Sequence, residues 1–376
     1  MLVIQALLFC SKNGTKYYFQ HQGLYAIFRI DSSYIGGNCF MRYVRAEHLE
    51  KGMILVNSLY DNNDKILLKA NRKLTQNYIS RIQQMDIAGL YVFEDDEMEE
   101  HTPIVSEETR LKAIKSLKRL NIDDCIYIAN NIVEEIRESE SMVVETINLS
   151  TYDNYTFNHS VNVDILSVIL GVACGLRDDE LRKLSQAALL HDIGKTCVPI
   201  EIINKPGRLT PEEYEEIKKH PRYGYNMLRE NYEVSSVARN AILSHHENED
   251  GSGYPRGLTT DKIHLFAKII HIADVYDALT TKRVYKDAMN PADAMEYLMA
   301  NTGKMFHKDL VGTFMEYVAP YPLGVQVELS TGQTAIVVRN NRNMLSRPVV
   351  RLDGGATVDL YERLDITIVK LLTNLN

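Results

Sequence analysis

The longest regular pattern in the sequence is helical. From about Ser106 to about Val318, apolar residues recur at spacings of three and four. Two stretches near its start show the pattern clearly: ETRLKAIKSLKRL and IDDCIYIANNIVEEIRE. Because amphipathic helices bury their apolar stripes against one another, a region of this length predicts a mainly α fold.

Segments of β character flank the helical region, which we assign to residues 106–320. Residues 41–105 alternate β-like runs with turns and one short helix, TQNYISRIQQM, and predict a small N-terminal α/β module. Residues 321–376 contain VQVELSTGQTAIVVRN and RPVVRLDGGATVDL, which predict a short C-terminal β segment. Residues 1–40 lack a helical or strand period, and Met41 opens a stretch typical of a domain start. We interpret residues 1–40 as a non-native or poorly ordered N-terminal extension.

Composition and charge exclude several classes of partner. The net charge of -8 argues against a nucleic-acid polymer as partner, because proteins that bind one usually carry a basic excess. No apolar stretch reaches the roughly 18 residues that a membrane span needs. The five cysteines are scattered, odd in number and without a CxxC spacing, which is typical of free thiols in a reducing compartment. We therefore predict a cytoplasmic protein.

Several predicted helices place histidine or aspartate on an apolar stripe. In QAALLHDIGK, Asp192 lies eleven residues after Leu181, close to three helical turns, so it falls on the buried stripe with His191 beside it. Asp274 in KIHLFAKIIHIADVYDAL and His159 in FNHSVNVDILSVILG are likewise in phase with the apolar face. A buried carboxylate is costly unless it is paired or bound to a cation, and inward-facing ligands are how helical domains assemble metal centres.

The stretch SHHENEDGSGYP adds His245 and His246 at the end of a predicted helix. A calcium loop is excluded by its register, because neither Gly251 nor Gly253 at the sixth loop position puts a glutamate at the twelfth. His220, in KKHPRYGY, lies at a helix boundary marked by a proline. A single inward histidine is more often a hydrogen-bonded core residue than a ligand, but five histidines and two aspartates in such positions indicate a metal site.

The types of donor in this set narrow the chemistry. Imidazole and carboxylate without thiolate suit Fe, Mn, Zn or Co. Two metal ions bridged by one carboxylate make a hydroxide at neutral pH and hold both oxygens of an in-line displacement at phosphorus. Lys195, one helical turn after His191, is placed to steady a phosphoryl oxygen. The residues alone therefore predict a metal-dependent phosphohydrolase.

Six motifs resemble, in the same order, those of the HD-GYP domain, a branch of the HD phosphohydrolase superfamily that hydrolyses cyclic di-GMP. They lie between about residues 151 and 318 and read YTFNHSVNV, LLHDIGK, NKPGRLTPEE, KHPRYGY, SHHENEDGSGYPRG and IADVYDALTTKRVYK. The resemblance implies an HD-type helical bundle. It also implies a cyclic di-GMP phosphodiesterase of bacterial second-messenger signalling, which uses a metal-bridging hydroxide and forms linear pGpG, GMP or both.

The resemblance assigns a role to each matching position. Asp192 would bridge two metal ions, and Lys195 would contact the scissile phosphate. Arg283 and Lys286 would hold the phosphates of the ligand, and Tyr254 would shape the guanine-nucleotide pocket. The metal ligands that it implies are His159, His191, Asp192, His220, His245, His246 and Asp274.

One position departs from the family pattern. Members with three metal ions carry a glutamate four residues before the first histidine, where this chain has Tyr155. We therefore predict two divalent metal ions, Fe or Mn. His264 and His271 match no ligand position, so we interpret both as structural.

Two alternatives stand beside an active cyclic di-GMP phosphodiesterase. One is a phosphohydrolase of the same kind that acts on another nucleotide. The other is a catalytically silent receptor or adaptor, although degenerate members usually lose a ligand or the His-Asp pair, and this chain keeps both. Besides cyclic di-GMP, the partners considered are signalling proteins and a second copy of the chain in a homodimer.

Overall fold

The protein is described by a computed structural model over residues 8–11, 14–21, 24–29, 41–60, 66–84, 87, 89–93, 103–139, 141–144, 155–205, 207–281 and 288–372. The chain divides into two compact units. The first contains an antiparallel three-stranded sheet of β1 (Leu8–Ser11), β2 (Gly14–His21) and β3 (Leu24–Arg29). These strands were not predicted, since the segment lacks clean alternation. The missed signal is the Asn-Gly dipeptide at 13–14, which is typical of a hairpin.

The second unit begins with the predicted α/β module. Its elements are β4 (Met41–Arg45), β5 (Ile54–Leu55), β6 (Leu59–Tyr60), β7 (Ile66–Leu68), α1 (Gln76–Gln84) and β8 (Gly89–Phe93). Strands β4, β8 and β5 form one antiparallel sheet in that order, and β6 pairs with β7. Helix α1 buries Ile79 and Ile82 against the apolar side chains of these strands. The α/β character expected from the sequence is therefore confirmed.

The middle of the second unit is helical, which confirms the mainly α prediction. Its helices are α2 (Glu107–Lys118), α3 (Ile122–Glu138), α4 (Tyr155–Ala173), α5 (Asp178–Leu190), α6 (Ile200–Ile203), α7 (Pro211–Ile217), α8 (His220–Met227), α9 (Ser236–Ser244), α10 (Leu265–Thr280), α11 (Pro291–Ala300) and α12 (Lys308–Tyr317). Ser106, Asn121 and Ser235 cap α2, α3 and α9 by accepting a backbone N–H in the first turn.

Helix α4 is the centre of the helical domain and packs against both α5 and α10. Every residue from Asn158 to Gly171 is buried, which is the pattern of a helix enclosed on all sides. The polar side chains of this stretch must therefore find partners inside the protein, and His159 is one of them. The position of α4 thus brings residues of α5 and α10 to the same interior point.

The C-terminal segment is a β segment, as predicted, and forms a five-stranded antiparallel sheet. Its strands are β9 (Gln326–Leu329), β10 (Thr334–Arg339), β11 (Val349–Leu352), β12 (Thr357–Asp359) and β13 (Ile368–Leu371), in the order β12-β11-β10-β9-β13. Val327, Ala335, Val337 and Val350 point into a core of its own. Separate apolar cores also lie within residues 44–92 and 104–318. The domain boundaries drawn from the sequence remain a prediction.

The sequence predicted free cysteines and no membrane-spanning helix, and the described residues bear on both predictions. Cys125, Cys174 and Cys197 carry free thiols. Among the helices that the structure describes, none combines the length and the apolar character needed to cross a bilayer.

Candidate metal centre

Three of the candidate ligand histidines lie at helix ends and are oriented by the same backbone interaction. His191 directly follows α5, His245 directly follows α9, and His220 lies three residues after the end of α7. In each ring, Nδ1 lies 2.7 to 2.8 Å from the carbonyl oxygen three residues earlier. The last carbonyls of a helix lack partners within the helix, so an Nδ1–H group can donate to one of them. That hydrogen bond leaves Nε2 as the nitrogen that can bind a metal ion.

These histidines converge on the carboxylate of Asp192. Its Oδ1 lies 3.2 Å from Nε2 of His220, and its Oδ2 lies 3.4 Å from Nε2 of His191 and 3.8 Å from Nε2 of His159. Nε2 of His245 lies 3.3 Å from Nε2 of His220. The two oxygens of one carboxylate thus face two different sets of histidines.

Asp192 is buried, as predicted, but the helical phase used to predict it was wrong. Helix α5 ends at Leu190, and Asp192 has φ -97° and ψ 3°, just before a 3₁₀-helix at Ile193–Cys197. The chain turns here because Gly194 packs against the start of α8. A Cβ atom on Gly194 would lie 2.0 Å from the carbonyl oxygen of His220 and 2.4 Å from the amide nitrogen of Gly224. The turn, rather than a continued helix, carries Asp192 inward.

Asp274 of α10 and His159 of α4 close another side of the site. Oδ1 of Asp274 lies 3.0 Å from Nε2 of His159, and its Oδ2 lies 3.7 Å from Nδ1 of His246. The second ring nitrogen of His159, Nδ1, lies 2.7 Å from Oδ2 of Asp277, one turn further along α10. A carboxylate behind a ligand histidine fixes the orientation of its ring.

His246, Tyr254 and Lys195 form the accessible side of the site. The side chains of His246 and Lys195 are 20% and 27% exposed, whereas that of Asp192 is 3% exposed. The ring of Tyr254 stacks on His246. The Nζ atom of Lys195 donates to Oδ2 of Asp192 at 2.5 Å. A ligand can therefore reach the carboxylate from the side that carries the lysine and the tyrosine.

Glu247 holds the loop that carries Tyr254 against the turn that contains His245 and His246. Oε1 of this buried carboxylate accepts the N–H of Arg256, and its Oε2 accepts the N–H of Leu258, each at 2.8 Å. The loop also passes so close to the histidine turn that a Cβ on Gly253 would lie 2.4 Å from the carbonyl oxygen of His246. The glycine-rich sequence is thus required for this close approach.

The electrostatic environment keeps the histidines at the helix end neutral. Burial, followed by the neighbouring His191 and His220, holds the pKa of His245 well below its usual range. Burial, followed by the charge of His245, does the same to the pKa of His246. A neutral imidazole is the form that binds a metal ion. Both histidines therefore favour the neutral form that a metal ion requires.

The two candidate carboxylates stay ionised for a different reason. Burial alone would raise the pKa of Asp192, but the charge of Lys195 and the interactions with His191 and His220 hold it well below its usual range. Burial likewise opposes ionisation of Asp274, but the hydrogen bond from His159 and the electrostatic interactions with His246, His159 and His191 together hold its pKa well below its usual range. Burial would lower the pKa of His159, but the facing carboxylates raise it to about 9.

The residues present fit divalent metal ions. Four groups place one ligand atom per residue within 4.8 Å of one another: His220, His245 and His246; His159, His191 and Asp192; His191, His245 and Asp274; and His246, His271 and Asp274. Nε2 of His191 is buried and has no hydrogen-bond partner among the described residues, although it points at this cluster. A donor set of imidazole nitrogens and carboxylate oxygens suits first-row transition metals.

The seven residues predicted as ligands therefore lie together. The other residues named from the sequence are distributed differently. Arg283 and Lys286 fall in residues 282–287, outside the described residues, and the side chain of Tyr155 is also outside them. His264 is structural, as predicted, because its Nδ1 accepts the N–H of the first turn of α10. His271 makes a structural contact to Asn248 at 3.1 Å, yet it is also close enough to join one metal-binding group.

Two residues of the site were missed by the sequence analysis. Asp277 lies three positions after Asp274, a spacing that puts both on one face of a helix, and this spacing was the signal for it. Glu247 follows the histidine pair directly and is 2% exposed. It was indistinguishable in sequence from the solvated acidic residues around it, since only the fold shows that its oxygens are buried.

The fold and the site define a helical protein whose helix ends present histidine and aspartate to a shared interior point. The HD domain family model matches residues 147–310 of this chain. The family resemblance predicted from the motifs is thereby confirmed.

The chain is also similar to several phosphodiesterases. A cyclic di-GMP phosphodiesterase of Pseudomonas aeruginosa is 37% identical over 228 residues, which cover 60% of this chain and 55% of the relative. A cyclic di-GMP phosphodiesterase response regulator of Xanthomonas campestris is 35% identical over 202 residues, covering 54% and 52%. A 3'3'-cGAMP-specific phosphodiesterase of Vibrio cholerae is 36% identical over 190 residues, covering 50% and 36%. The chain spans about half the length, or less, of these three relatives.

Proposed function

We propose that this protein is a metal-dependent phosphodiesterase that hydrolyses cyclic di-GMP to linear pGpG, GMP or both. One observation carries the proposal: the two oxygens of Asp192 face separate sets of histidines, within a segment of the HD domain family. One carboxylate between two ligand sets is the arrangement that a two-metal site for phosphoryl chemistry needs. The names of the cyclic di-GMP phosphodiesterases among the relatives support the choice of substrate.

The ligand assignment follows the geometry around Asp192. One ion would be held by His159, His191 and Asp274 with one oxygen of Asp192. The other would be held by the second oxygen of Asp192 together with three histidines, His220, His245 and His246. These two ligand sets share the carboxylate of Asp192, and Tyr155 stands where family members with three ions have a glutamate ligand. We therefore propose two ions, Fe or Mn.

The bound ions would supply Lewis acidity and a water of lowered pKa. The protein side chains would position the phosphodiester for attack. Lys195, now paired with Asp192, would donate an N–H to a non-bridging phosphoryl oxygen as negative charge develops there. Hydrolysis forms a P–O bond from water and breaks the P–O bond to the ribose oxygen, which leaves as a hydroxyl after gaining a proton.

Substrate contacts would come from the loop at the accessible side. The stacked pair of His246 and Tyr254 offers an aromatic surface beside the metal ligands, on which a guanine base could stack. By the family resemblance, Arg283 and Lys286 would hold the phosphates of the cyclic dinucleotide. The buried carboxylate of Glu247 would keep this loop in place while nucleotide binds and leaves.

A second candidate substrate is 3'3'-cGAMP, because a relative of comparable identity is named for it. The two nucleotides differ in one base, so the ribose-phosphate contacts proposed here would serve either. A cytoplasmic location, binding to signalling proteins and formation of a homodimer are further parts of the proposal. None of them is needed for the chemistry.

The test is a turnover assay with the metal-loaded protein. Protein loaded anaerobically with Fe²⁺ or Mn²⁺ is incubated with cyclic di-GMP or 3'3'-cGAMP, and products are separated by chromatography. We expect pGpG or GMP from cyclic di-GMP, and no product from the Asp192→Ala variant. Metal-loaded protein that binds cyclic di-GMP without turnover would instead indicate a silent receptor.

A further inference from the structure

A row of buried hydrogen bonds leads away from the candidate metal centre behind His159. Oδ2 of Asp277 lies 2.7 Å from Nδ1 of His159, and Oδ1 of Asp277 accepts the side-chain N–H of Asn162 at 2.9 Å. The carbonyl oxygen of Asn162 accepts Nη2–H of Arg110 at 2.6 Å. Their exposed fractions are 2% for His159, 0% for Asp277, 1% for Asn162 and 6% for Arg110. The row connects α10 and α4 to α2.

Each bond in this row has one allowed direction. Arginine can only donate, so the amide oxygen of Asn162 must face Arg110, and the amide N–H must face Asp277. The carboxylate of Asp277 accepts from Asn162 and from Nδ1–H of His159. His159 is thereby held with Nε2 toward Asp274 and Asp192. Arg110 of α2 thus fixes the orientation of the His159 ring through Asn162 and Asp277.

The same helix also contacts the N-terminal α/β module. Glu107 lies one turn before Arg110; its Oε1 accepts the N–H of Ser58 at 2.9 Å, and its Oε2 accepts the hydroxyl of Tyr60 at 3.0 Å. Ser58 and Tyr60 are each 7% exposed, so these bonds are largely shielded from competing water. One turn of α2 therefore carries both the contact to the module and the contact to the row behind His159.

We propose that Arg110 is a positioning residue for the metal ligand His159, and that the N-terminal module acts on the metal centre through Tyr60 and Glu107. This inference rests on the proposed metal centre. A displacement of the module would move the first turn of α2 and, with it, the guanidinium that orients Asn162. The property that changes would be metal affinity, because the row ends on a ligand ring rather than on the substrate pocket.

The first experiment measures Mn²⁺ affinity by competition with a chromophoric chelator, without nucleotide. We expect Arg110→Gln to bind Mn²⁺ about 10-fold more weakly, the low end for losing a partner behind a ligand histidine. Arg182→Gln is the matched control, since Arg182 also donates to a side-chain oxygen at 2.6 Å, that of Glu134 at the surface. The control should bind as the wild type does. Equal affinities for Arg110→Gln and the wild type would overturn the positioning role.

The second experiment tests the link to the module by a double-mutant cycle. Tyr60→Phe removes only the hydroxyl that donates to Glu107, and we expect it to weaken Mn²⁺ binding several-fold in the wild type. In the Arg110→Gln background it should have no further effect, because the row is already broken. The same loss in both backgrounds would overturn the link. If Arg110→Gln does not fold, Arg110→Met, which has no side-chain N–H donor, takes its place in the cycle.

The two proposals fail in different ways. A wild-type protein that binds Mn²⁺ but hydrolyses no cyclic dinucleotide would contradict the proposed function and leave this inference standing. A wild-type protein that hydrolyses cyclic di-GMP, with Arg110→Gln unchanged in Mn²⁺ affinity, would overturn the inference alone.

Discussion

The phenol ring of Tyr254 stacks on the imidazole of His246, with ring centroids 4.7 Å apart and an interplanar angle of 27°. His246 is a proposed metal ligand, and Tyr254 belongs to the proposed substrate loop. The proposed pocket wall therefore contacts the proposed metal centre directly, through the face of the ring rather than its hydroxyl.

Removal of this ring should weaken substrate binding. We expect Tyr254→Ala to raise KM for cyclic di-GMP about 10-fold, because a base stacked on an aromatic side chain gains about 1–3 kcal/mol. Tyr254→Phe keeps the ring and should stay close to the wild type. Steady-state kinetics of both variants check this. If Tyr254→Phe raises KM as much as Tyr254→Ala does, substrate binding depends on the hydroxyl group and not on the stacked ring.

Lys195 should affect turnover without affecting metal content. In Lys195→Ala, we expect kcat for cyclic di-GMP to fall about 100-fold, the usual cost of losing one donor to developing charge. Metal content should be unchanged, because Lys195 contributes no ligand in our assignment. Elemental analysis and kinetics on the same preparation separate the two. Lys183→Ala removes an exposed lysine paired with Asp179 and should match the wild type in both measurements. Loss of metal in Lys195→Ala would contradict the assigned role.

The close approach at Gly194 should make that position intolerant of any side chain. A Cβ there would meet backbone atoms of α8, so Gly194→Ala must displace the turn that carries Asp192. We expect a loss of about 1–3 kcal/mol in the free energy of unfolding, together with weaker metal binding. Gly312 in α12 is the control, since a Cβ there meets nothing within 4 Å. Gly312→Ala should be neutral or stabilising in urea denaturation, and similar losses for both variants would disprove the steric argument.

The stability of protein stripped of metal with EDTA should depend on pH in two opposite ways. The pKa values of His245 and His246 are lowered in the folded state, so below about pH 6.5 the unfolded chain takes up protons that the folded chain does not. Stability should therefore fall as pH drops below that value. The pKa of His159 is raised to about 9, so its contribution is complete below about pH 6.5 and is lost as pH rises through about 9.

Urea denaturation in EDTA between pH 5 and 9.5 tests these signs. The folded-state pKa values of Asp192 and Asp274 lie below the usual range, so those carboxylates contribute pH dependence only below about pH 4. Acid loss between pH 5 and 6.5 thus reports on the histidines. His245→Gln should make this acid limb shallower and leave the alkaline limb intact. An unchanged acid limb would show that His245 is not its source.

The sequence predicted those site residues that can be recognised from their type and from their neighbours along the chain. His159, Asp274 and the histidine pair were found from periodicity and motif, and they do lie together. Asp192 was found by a phase argument along a helix that ends two residues earlier, so its burial was predicted for the wrong reason.

Contacts between distant segments could not be predicted in the same way. Arg110 meets Asn162 across 52 positions of sequence, and Glu107 meets Ser58 across 49. A buried arginine in an amphipathic helix is indistinguishable in sequence from an exposed one, because only tertiary packing decides which side chain covers it. The same holds for Glu247, whose role depends on where the following loop returns.

The ring nitrogens at three helix ends have a consequence for which substitutions the fold allows. At His191, His220 and His245, one nitrogen satisfies a terminal carbonyl of a helix while the opposite nitrogen is left for a cation. Cysteine and carboxylates lack the N–H group, and lysine and arginine lack the lone pair. A change of ligand type at these positions would therefore also remove a hydrogen bond to a carbonyl at a helix end. The same three side chains thus support the local fold and the proposed choice of cation, so neither can change without the other.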